Sequence, residues 1–589
     1  MCGIAGYAGS KQVTPVLIGS LKRMEYRGYD SAGIAIVNNG SIAVLKDSGR
    51  VDRIAEKISN RMTGGNLGIA HTRWATHGEV SQDNAHPHTS CNSEVAVVHN
   101  GIIENFQELV ATLRAEGHHF RSQTDSEVIA HLLERSYQRL ADPVKALQEA
   151  LRELIGSYAL VVVFHDRPDL MLGARKDAPL IVGVGNGENF IASDILAFID
   201  HTDRVIFLEE LEMVTVTSQS VELMKLDGTR IEREITHVAW EAADVSKEEF
   251  AHHTLKEIHE QTRSLRTALL QDEKSLDSFV SNIKNAKNLY ITSCGSSFNI
   301  GLLLKHLLTK LCKIPAQAFV SSESDEYIDL MDRDTVVIAI SQSGETADLL
   351  KAVSDARGRG AKVLSIVNSV GSTLSRKSSV NLYLNCGPEV GVAATKSFTS
   401  QLVLVYEVIF RIAGMHSKRN ALRDLSSAIE QIFMQEEKIR SIAGVLKLFN
   451  DVYFIGRGAH YPIALEGALK LKELSYIHAE GMAAGELKHG TLALIDKGTP
   501  AVVINPHDET FNDTLSNASE MRARGATVVG ISSINNELYD YWIPIPETDP
   551  LLQPILEVLP LQLLAYYTAL ERHNDPDHPR NLAKSVTVK

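Results

Sequence analysis

The sequence predicts a mixed α/β and α+β protein, with an N-terminal third of stacked sheets covered by helices and then two tandem α/β units with mainly parallel sheets. Three observations carry this reading. Between residues 33 and 184, apolar runs of strand length come first, helical patterns follow and strand runs return, an order that layers helices over sheets. Beyond residue 280, apolar strand runs alternate with helical stretches. That alternation then repeats: residues 288–295 align with 451–458, 335–340 with 499–504 and 359–363 with 524–528, at an offset that drifts only from 163 to 165 residues.

The elements follow in order. The runs 34–37 and 42–45 flank Asn38-Asn39-Gly40, a hairpin signal with glycine at a turn position. The run 67–70 leads into the polar stretch 71–78, and 95–98 leads into His99-Asn100-Gly101. Helical patterns cover about 104–116 and 125–140, and strands are expected at 158–164, 170–174 and 180–184. Residues 241–275 are rich in charge and are expected to form a linker followed by an exposed helix. His252 and His253 lie within it, but adjacent histidines on a helix diverge and no ligand stands at i+4, so they predict a solvated face and not a metal site.

Composition bounds the function. The chain has 589 residues and 44% hydrophobic content, enough for several cores. With 59 basic and 73 acidic residues the formal charge is −14, which argues against a nucleic-acid or anionic-membrane surface. The five cysteines (Cys2, Cys91, Cys294, Cys312 and Cys386) are odd in number and scattered, so neither a disulfide framework nor a zinc site is expected. No signal pattern or run of spanning length occurs, and a cytoplasmic location is expected.

Chemistry begins at Cys2. If Met1 is removed, this residue carries both a thiol nucleophile and a free α-amine that can shuttle its proton, and no separate base is needed. Three polar clusters suit hydrolysis of a free amino-acid amide: Arg73 offers a fork for an α-carboxylate, Asp125 a charge for an α-ammonium, and Asn100 with the Gly101 N–H two donors for an oxyanion. Each alone has an ordinary alternative, namely a rim arginine, a helix cap and a turn.

In the repeat, the copies differ at one loop. The first has Ser341-Gln342-Ser343-Gly344-Glu345-Thr346 between a buried strand and a helix, where N–H groups and hydroxyls can hold a phosphate. The second has Asn505-Pro506-His507-Asp508-Glu509-Thr510, in which proline lacks a donor and carboxylates repel an anion. Cys294-Gly295-Ser296-Ser297 forms a second small-residue turn that can reach the same ligand. No Walker, Rossmann or metal-ligand pattern is present, and no cofactor is expected.

Taken together, Met1-Cys2-Gly3-Ile4, the stretch 26–33 (Tyr-Arg-Gly-Tyr-Asp-Ser-Ala-Gly), the stretch 71–78 (His-Thr-Arg-Trp-Ala-Thr-His-Gly) and His99-Asn100-Gly101 closely resemble the class II, N-terminal-nucleophile glutamine amidotransferase domain over about residues 2–220. The resemblance implies an αββα sandwich in which Cys2 attacks glutamine, Arg73, Thr76, His77, Gly101 and Asp125 bind it, Asn100 and Gly101 form the oxyanion hole, and Trp74 gates an ammonia passage.

The repeated units resemble sugar isomerase (SIS) domains, over 281–425 and 440–579. With the stretches 390–396, 466–473 and 484–490 and the tail 579–588, the whole chain resembles the isomerizing glutamine:fructose-6-phosphate amidotransferases. That implies a linker and connecting helix over 221–280, and a tail, 580–589, that completes the sugar site.

It further implies synthesis of D-glucosamine 6-phosphate from L-glutamine and D-fructose 6-phosphate, the first step of hexosamine formation, by a homodimer. Ser297, Ser341, Gln342, Ser343, Thr346 and Val392 would bind the sugar phosphate, and Lys584 would form a Schiff base. Glu473 would move the proton between C1 and C2, His489 from the neighbouring subunit would assist ring opening, and Lys470 would be a further acid/base group.

Two positions depart from the family pattern, Ala394 where serine is usual and Ser296 where threonine is usual, and the stretch 250–262 is looser than the family's version. Alternatives are an aminotransferase acting on another ketose phosphate and a non-catalytic sugar-phosphate sensor. The presence of Cys2, Glu473 and Lys584 together counts against the second.

Overall fold

The computed structural model describes residues 2–58, 62–75, 78–238 and 246–587. Contacts divide the chain into two compact units, one of Met1–Val245 with Ala583–Lys589 and one of Ser246–Leu582.

The first unit stacks two antiparallel sheets. In one, Gly3–Ala8 lies between Asn189–Ala192 and Leu67–Arg73, with Ser31–Asn38 and Ser41–Ser48 beyond the latter. In the other, Val95–Ile103 pairs with Gly156–Phe164, which pairs with Met171–Lys176. Alternation explains the layering: Ile4 and Ala8 face the second sheet's Val98, Val161 and Met171, whereas Ala5 and Tyr7 face outward. The helix Val13–Met24 covers that outer face with Leu17 and Leu21. Helices Glu127–Leu140 and Pro143–Glu153 cover the second sheet's outer face with Leu132, Leu133 and Leu147. The αββα layering that the sequence predicts is thus observed.

The second unit holds two parallel five-stranded sheets. In each, the order along the sheet is second, first, third, fourth, fifth by sequence: Gln317–Val320, Asn288–Ser293, Thr335–Ser341, Lys362–Val367 and Val380–Tyr383 in one, and the equivalent set from Asp451–Gly456 onward in the other. One large core joins the inner faces, Ile291, Ile338 and Leu364 from one sheet and Phe454, Val502 and Val529 from the other, through helices Lys396–Ala413, His460–Ser475 and Gln553–Glu571. The tandem mainly parallel α/β architecture is as expected.

Several local expectations need correction. Part of the stretch read as linker from residue 221 is sheet, since Val221–Lys225, Arg230–Ile231 and Thr236–His237 extend the first unit's two sheets. The helix expected to be exposed is two helices, His253–His259 and Gln261–Ala268, with Thr254, Lys256, Glu257 and Gln261 buried. Its charges are satisfied inside: Glu257 accepts the Val390 and Gly391 N–H groups, Lys396 Nζ pairs with Glu260, and Asp577 accepts the His253 and Thr254 N–H groups. His252 is likewise not a solvated residue, because its Nδ1 lies 3.0 Å from the Tyr566 hydroxyl.

Candidate active sites

In the first unit the polar residues sit on strand ends. Leu67–Arg73 and Val95–Ile103 run beyond their apolar stretches, so His71, Arg73, Asn100 and Gly101 are strand residues held by the ladder. Cys2 directly precedes the central strand, and its Sγ accepts the Trp74 N–H at 3.2 Å.

The segment 26–31 fixes that neighbourhood. A Cβ on Gly28 would sit 2.7 Å from the Arg73 carbonyl carbon, the Asp30 N–H donates to Arg73 O, and the Asp30 carboxylate accepts the Ala75 N–H at 2.8 Å. Arg27 and Tyr26 anchor the segment from below on Asp194, at 2.8 and 2.6 Å.

Asn100 is oriented from both ends. Its Oδ1 lies 2.9 Å from His71 Nε2, and its Nδ2 donates to the Cys2 carbonyl at 2.9 Å. Burial pushes His71 down to about 3, so the ring is neutral and Nε2 is its donor, which sets the amide with its NH2 toward Cys2. Gly101 has φ +133°, and a Cβ there would meet the Ser157 carbonyl oxygen at 2.1 Å, so only glycine fits.

Arg73 is buried. Burial lowers its pKa against the fields of Cys2, Asp30 and Asp125, which places all three carboxylate or thiol groups in its electrostatic reach. Asp125 is buried and accepts the Ile103 N–H at 2.7 Å. Burial pushes the Cys2 thiol up, while the Trp74 N–H and Arg73 pull it down. Trp74 is half-buried, and Thr76 and His77 lie outside the described residues.

In the second unit, the strands Asn288–Ser293 and Thr335–Ser341 are neighbours at the point where strand order reverses; the helix Ser296–Leu307 after the first carries Ser297, and the second ends at Ser341 and leads into the loop 342–346. A crevice at such a reversal is where open parallel sheets take ligands. The loop is tightly made: Ser341 Oγ accepts the Gly344 N–H at 2.9 Å, Gly344 has φ +68°, and Thr346 precedes the helix Ala347–Gly358. In the second copy Asp508 fills this role itself, accepting the Thr510 N–H at 2.8 Å and pairing with His460 Nε2 at 2.9 Å.

The helix His460–Ser475 brings an ionic row to the first copy. Lys470, fully buried, pairs with Glu473 and lies 3.5 Å from Glu466, while Glu466 accepts the Asn299 amide at 2.8 Å and a hydrogen bond from Ser296. Despite the cost of burial, Glu473 and Glu466 hold Lys470 above its usual range, and burial raises Glu466. Glu389, which also acts on Lys470, accepts the Thr395 and Ser397 N–H groups at 3.0 Å and so fixes the loop bearing Val392 and Ala394. Ser296, Asn299, Glu466, Lys470, Glu473 and this loop therefore share one neighbourhood.

His489, in the short helical turn Ala484–His489, is exposed. The half-buried Lys584 belongs to the tail that clusters with the first unit.

Sequence reasoning gave no role to Asp30, His71 or Glu466. Glu466 had a signal, its i−4 spacing from Lys470 on a helix. His71 had none, because its partner Asn100 is distant in sequence. Contrary to the expectation of no metal-ligand grouping, the fold also gathers Cys91, His118, His131 and Glu134.

These features define a glutamine amidotransferase joined to two SIS domains. The glutamine amidotransferase domain family matches residues 71–200, and the SIS domain family matches 282–411 and 449–572. The chain is 44% identical over 602 residues to glutamine–fructose-6-phosphate aminotransferase [isomerizing] of Thermococcus kodakarensis, and 44% identical over 595 residues to that of Methanothermobacter thermautotrophicus, covering 100% of both chains in each case. It is also similar to the solved C-terminal domain of glucosamine-fructose-6-phosphate aminotransferase from Francisella tularensis, with 32% identity, TM-score 0.53, and coverage of 56% of this chain and 99% of that one. The protein belongs to the glutamine–fructose-6-phosphate aminotransferase [isomerizing] family.

Proposed function

We propose that the protein makes D-glucosamine 6-phosphate and L-glutamate from D-fructose 6-phosphate and L-glutamine. Cys2, freed at its amine by loss of Met1, attacks the carboxamide carbon. Asn100 and the Gly101 N–H take the oxyanion, ammonia leaves, and water hydrolyses the thioester. Arg73 and Asp125 hold the amino-acid end, and Thr76 and His77 are proposed as further glutamine-binding residues. Ammonia passes inside the protein past Trp74, since in bulk water at pH 7 it would be protonated and lost.

In the sugar site, Ser297, Ser341, Gln342, Ser343 and Thr346 hold the phosphate, with Val392 on the pocket wall. Lys584 forms an imine at C2 of the open-chain ketose with loss of water, ammonia takes the place of the Lys584 amine at C2, Glu473 carries the proton between C1 and C2, and His489 of the partner subunit assists ring opening in a homodimer. Lys470, held charged between Glu466 and Glu473, orients the Glu473 carboxylate and is the further acid/base group of the site. The chain is proposed to act in the cytoplasm. Among the described residues no helix is long and apolar enough to cross a membrane.

The observation that supports this reading is the buried Glu466–Lys470–Glu473 row, whose Glu466 accepts hydrogen bonds from Ser296 and Asn299 at the start of the helix that follows Asn288–Ser293. Incubation with glutamine and fructose 6-phosphate should yield glucosamine 6-phosphate and glutamate one to one. Glutamate release without amino sugar, or an equal rate on another ketose phosphate, would favour the alternatives.

A further inference from the structure

Four side chains far apart in the sequence converge in the first unit. Cys91 lies in the turn between His88–Thr89 and Val95–Ile103, His118 follows the helix Phe106–Ala115, and His131 and Glu134 stand at i and i+3 on the helix Glu127–Leu140. Their ligand atoms all fall within 4.8 Å of one another. Cys91 Sγ is 3.7 Å from His118 Nδ1 and 3.5 Å from His131 Nδ1, and Glu134 Oε2 is 3.1 Å from His118 Nδ1 and 3.8 Å from His131 Nδ1.

Four of the six separations lie within about 0.5 Å of those in a tetrahedral metal site. With Zn–S near 2.3 Å and Zn–N and Zn–O near 2.0–2.1 Å, tetrahedral angles put sulfur about 3.6 Å from each nitrogen and nitrogen about 3.3 Å from oxygen. Hydrogen bonding does not account for every one of these contacts, because the 3.8 Å between His131 Nδ1 and Glu134 Oε2 lies beyond hydrogen-bond reach.

The surroundings have the form of an outer shell. His131 Nε2 faces Glu127 Oε1 at 3.7 Å, the His119 N–H points at Cys91 Sγ at 3.4 Å, the Cys91 and Asn92 N–H groups donate to Glu134 at 3.3 Å, and the Phe120 ring closes over His131 with centroids 4.4 Å apart.

We propose that Cys91, His118, His131 and Glu134 form a closed, four-ligand structural site for Zn2+. Sulfur, nitrogen and oxygen together in a tetrahedron select zinc over the hard divalent cations. Binding displaces the Cys91 thiol proton, and both imidazoles ligate as neutral rings through Nδ1. The ion would clamp the turn at Cys91 and the loop at His118 to the helix that begins just after Asp125. Glu127, outer partner of His131, also accepts the Arg121 and Ser122 N–H groups, so the loop leading to Asp125 hangs from the same cluster.

The test is metal analysis of the full-length protein incubated with micromolar Zn2+ and passed over a chelating resin, beside Cys91→Ser, His118→Ala and Cys2→Ala. His118 is in a half-buried turn, and circular dichroism will show that its variant is folded. One equivalent is expected in the parent and in Cys2→Ala, with affinity at least about 100-fold weaker in Cys91→Ser and His118→Ala. Co2+ in the parent should give intense tetrahedral ligand-field bands with a sulfur charge-transfer band that Cys91→Ser abolishes. The proposal is overturned if the parent retains no zinc, if folded Cys91→Ser and His118→Ala retain it as the parent does, if Cys2→Ala alone loses it, or if the Co2+ spectrum is octahedral.

Discussion

Replacing Asn100 by alanine removes a donor whose position is set by two contacts, one to His71 and one to the Cys2 carbonyl, each of 2.9 Å. Loss of one preorganised oxyanion donor costs about 2.7–4 kcal/mol of transition-state stabilisation, which is a fall of about 10²–10³ in kcat for glutamine hydrolysis. The proposed ground-state contacts are those of Arg73 and Asp125, so KM for glutamine should move little. The substitution also leaves the buried His71 Nε2–H without its acceptor, at a cost of about 1–3 kcal/mol to the first unit. The assay is steady-state glutamate release over a range of glutamine concentrations, with thermal unfolding alongside. A fall of less than about fivefold in kcat, or a loss carried wholly by KM, would refute the reasoning.

Three further outcomes follow from the geometry. Gly101→Ala should abolish hydrolysis and lower stability by several kcal/mol, because its Cβ would meet the Ser157 oxygen at 2.1 Å, and normal glutamate release from this variant would show that the strand relaxes freely. Glu473→Gln should eliminate amino-sugar synthesis while leaving glutamate release within about threefold, and retained synthesis would remove Glu473 from the proton path. His460, despite the cost of burial, is raised to about 9 by Glu557 and Asp508 on either side. Its folded pKa exceeds the unfolded value of about 6.5, so the stability it confers, on the order of 3 kcal/mol, is complete below pH 6.5 and lost as pH rises through 9. Urea midpoints should therefore decline over that window in the parent and much less in His460→Gln, and parallel curves would contradict the assignment.

Much of this architecture is legible in local pattern. The hairpin at Asn39-Gly40 is a tight turn with both residues at positive φ, as its residue types demand, and the drifting repeat exposes the paired parallel sheets. What escapes local reading is settled by distant partners. Residues 253–268 look solvated because charge is dense, yet Glu257 and Glu260 are spent on the 390–396 segment. The helix Pro143–Glu153 carries its own sequence signal, Asp142 as cap with proline at its first position. Cys91, His118, His131 and Glu134 have no close motif spacing, and only folding brings them together. The candidate catalytic residues were visible as residue types at strand ends, whereas the groups that aim them, His71 on Asn100 and Glu466 on Lys470, emerge only from the packing.

The central claim is that one chain hydrolyses glutamine at Cys2 and uses the ammonia at a separate sugar site that depends on Lys584. The most direct measurement follows glutamate and glucosamine 6-phosphate independently in Lys584→Arg, which keeps the charge but cannot form an imine. The account predicts that glutamate release continues while glucosamine 6-phosphate falls to background. Synthesis near the parent rate would contradict the role of Lys584, and loss of both products together in a folded variant would contradict the separation of the two sites.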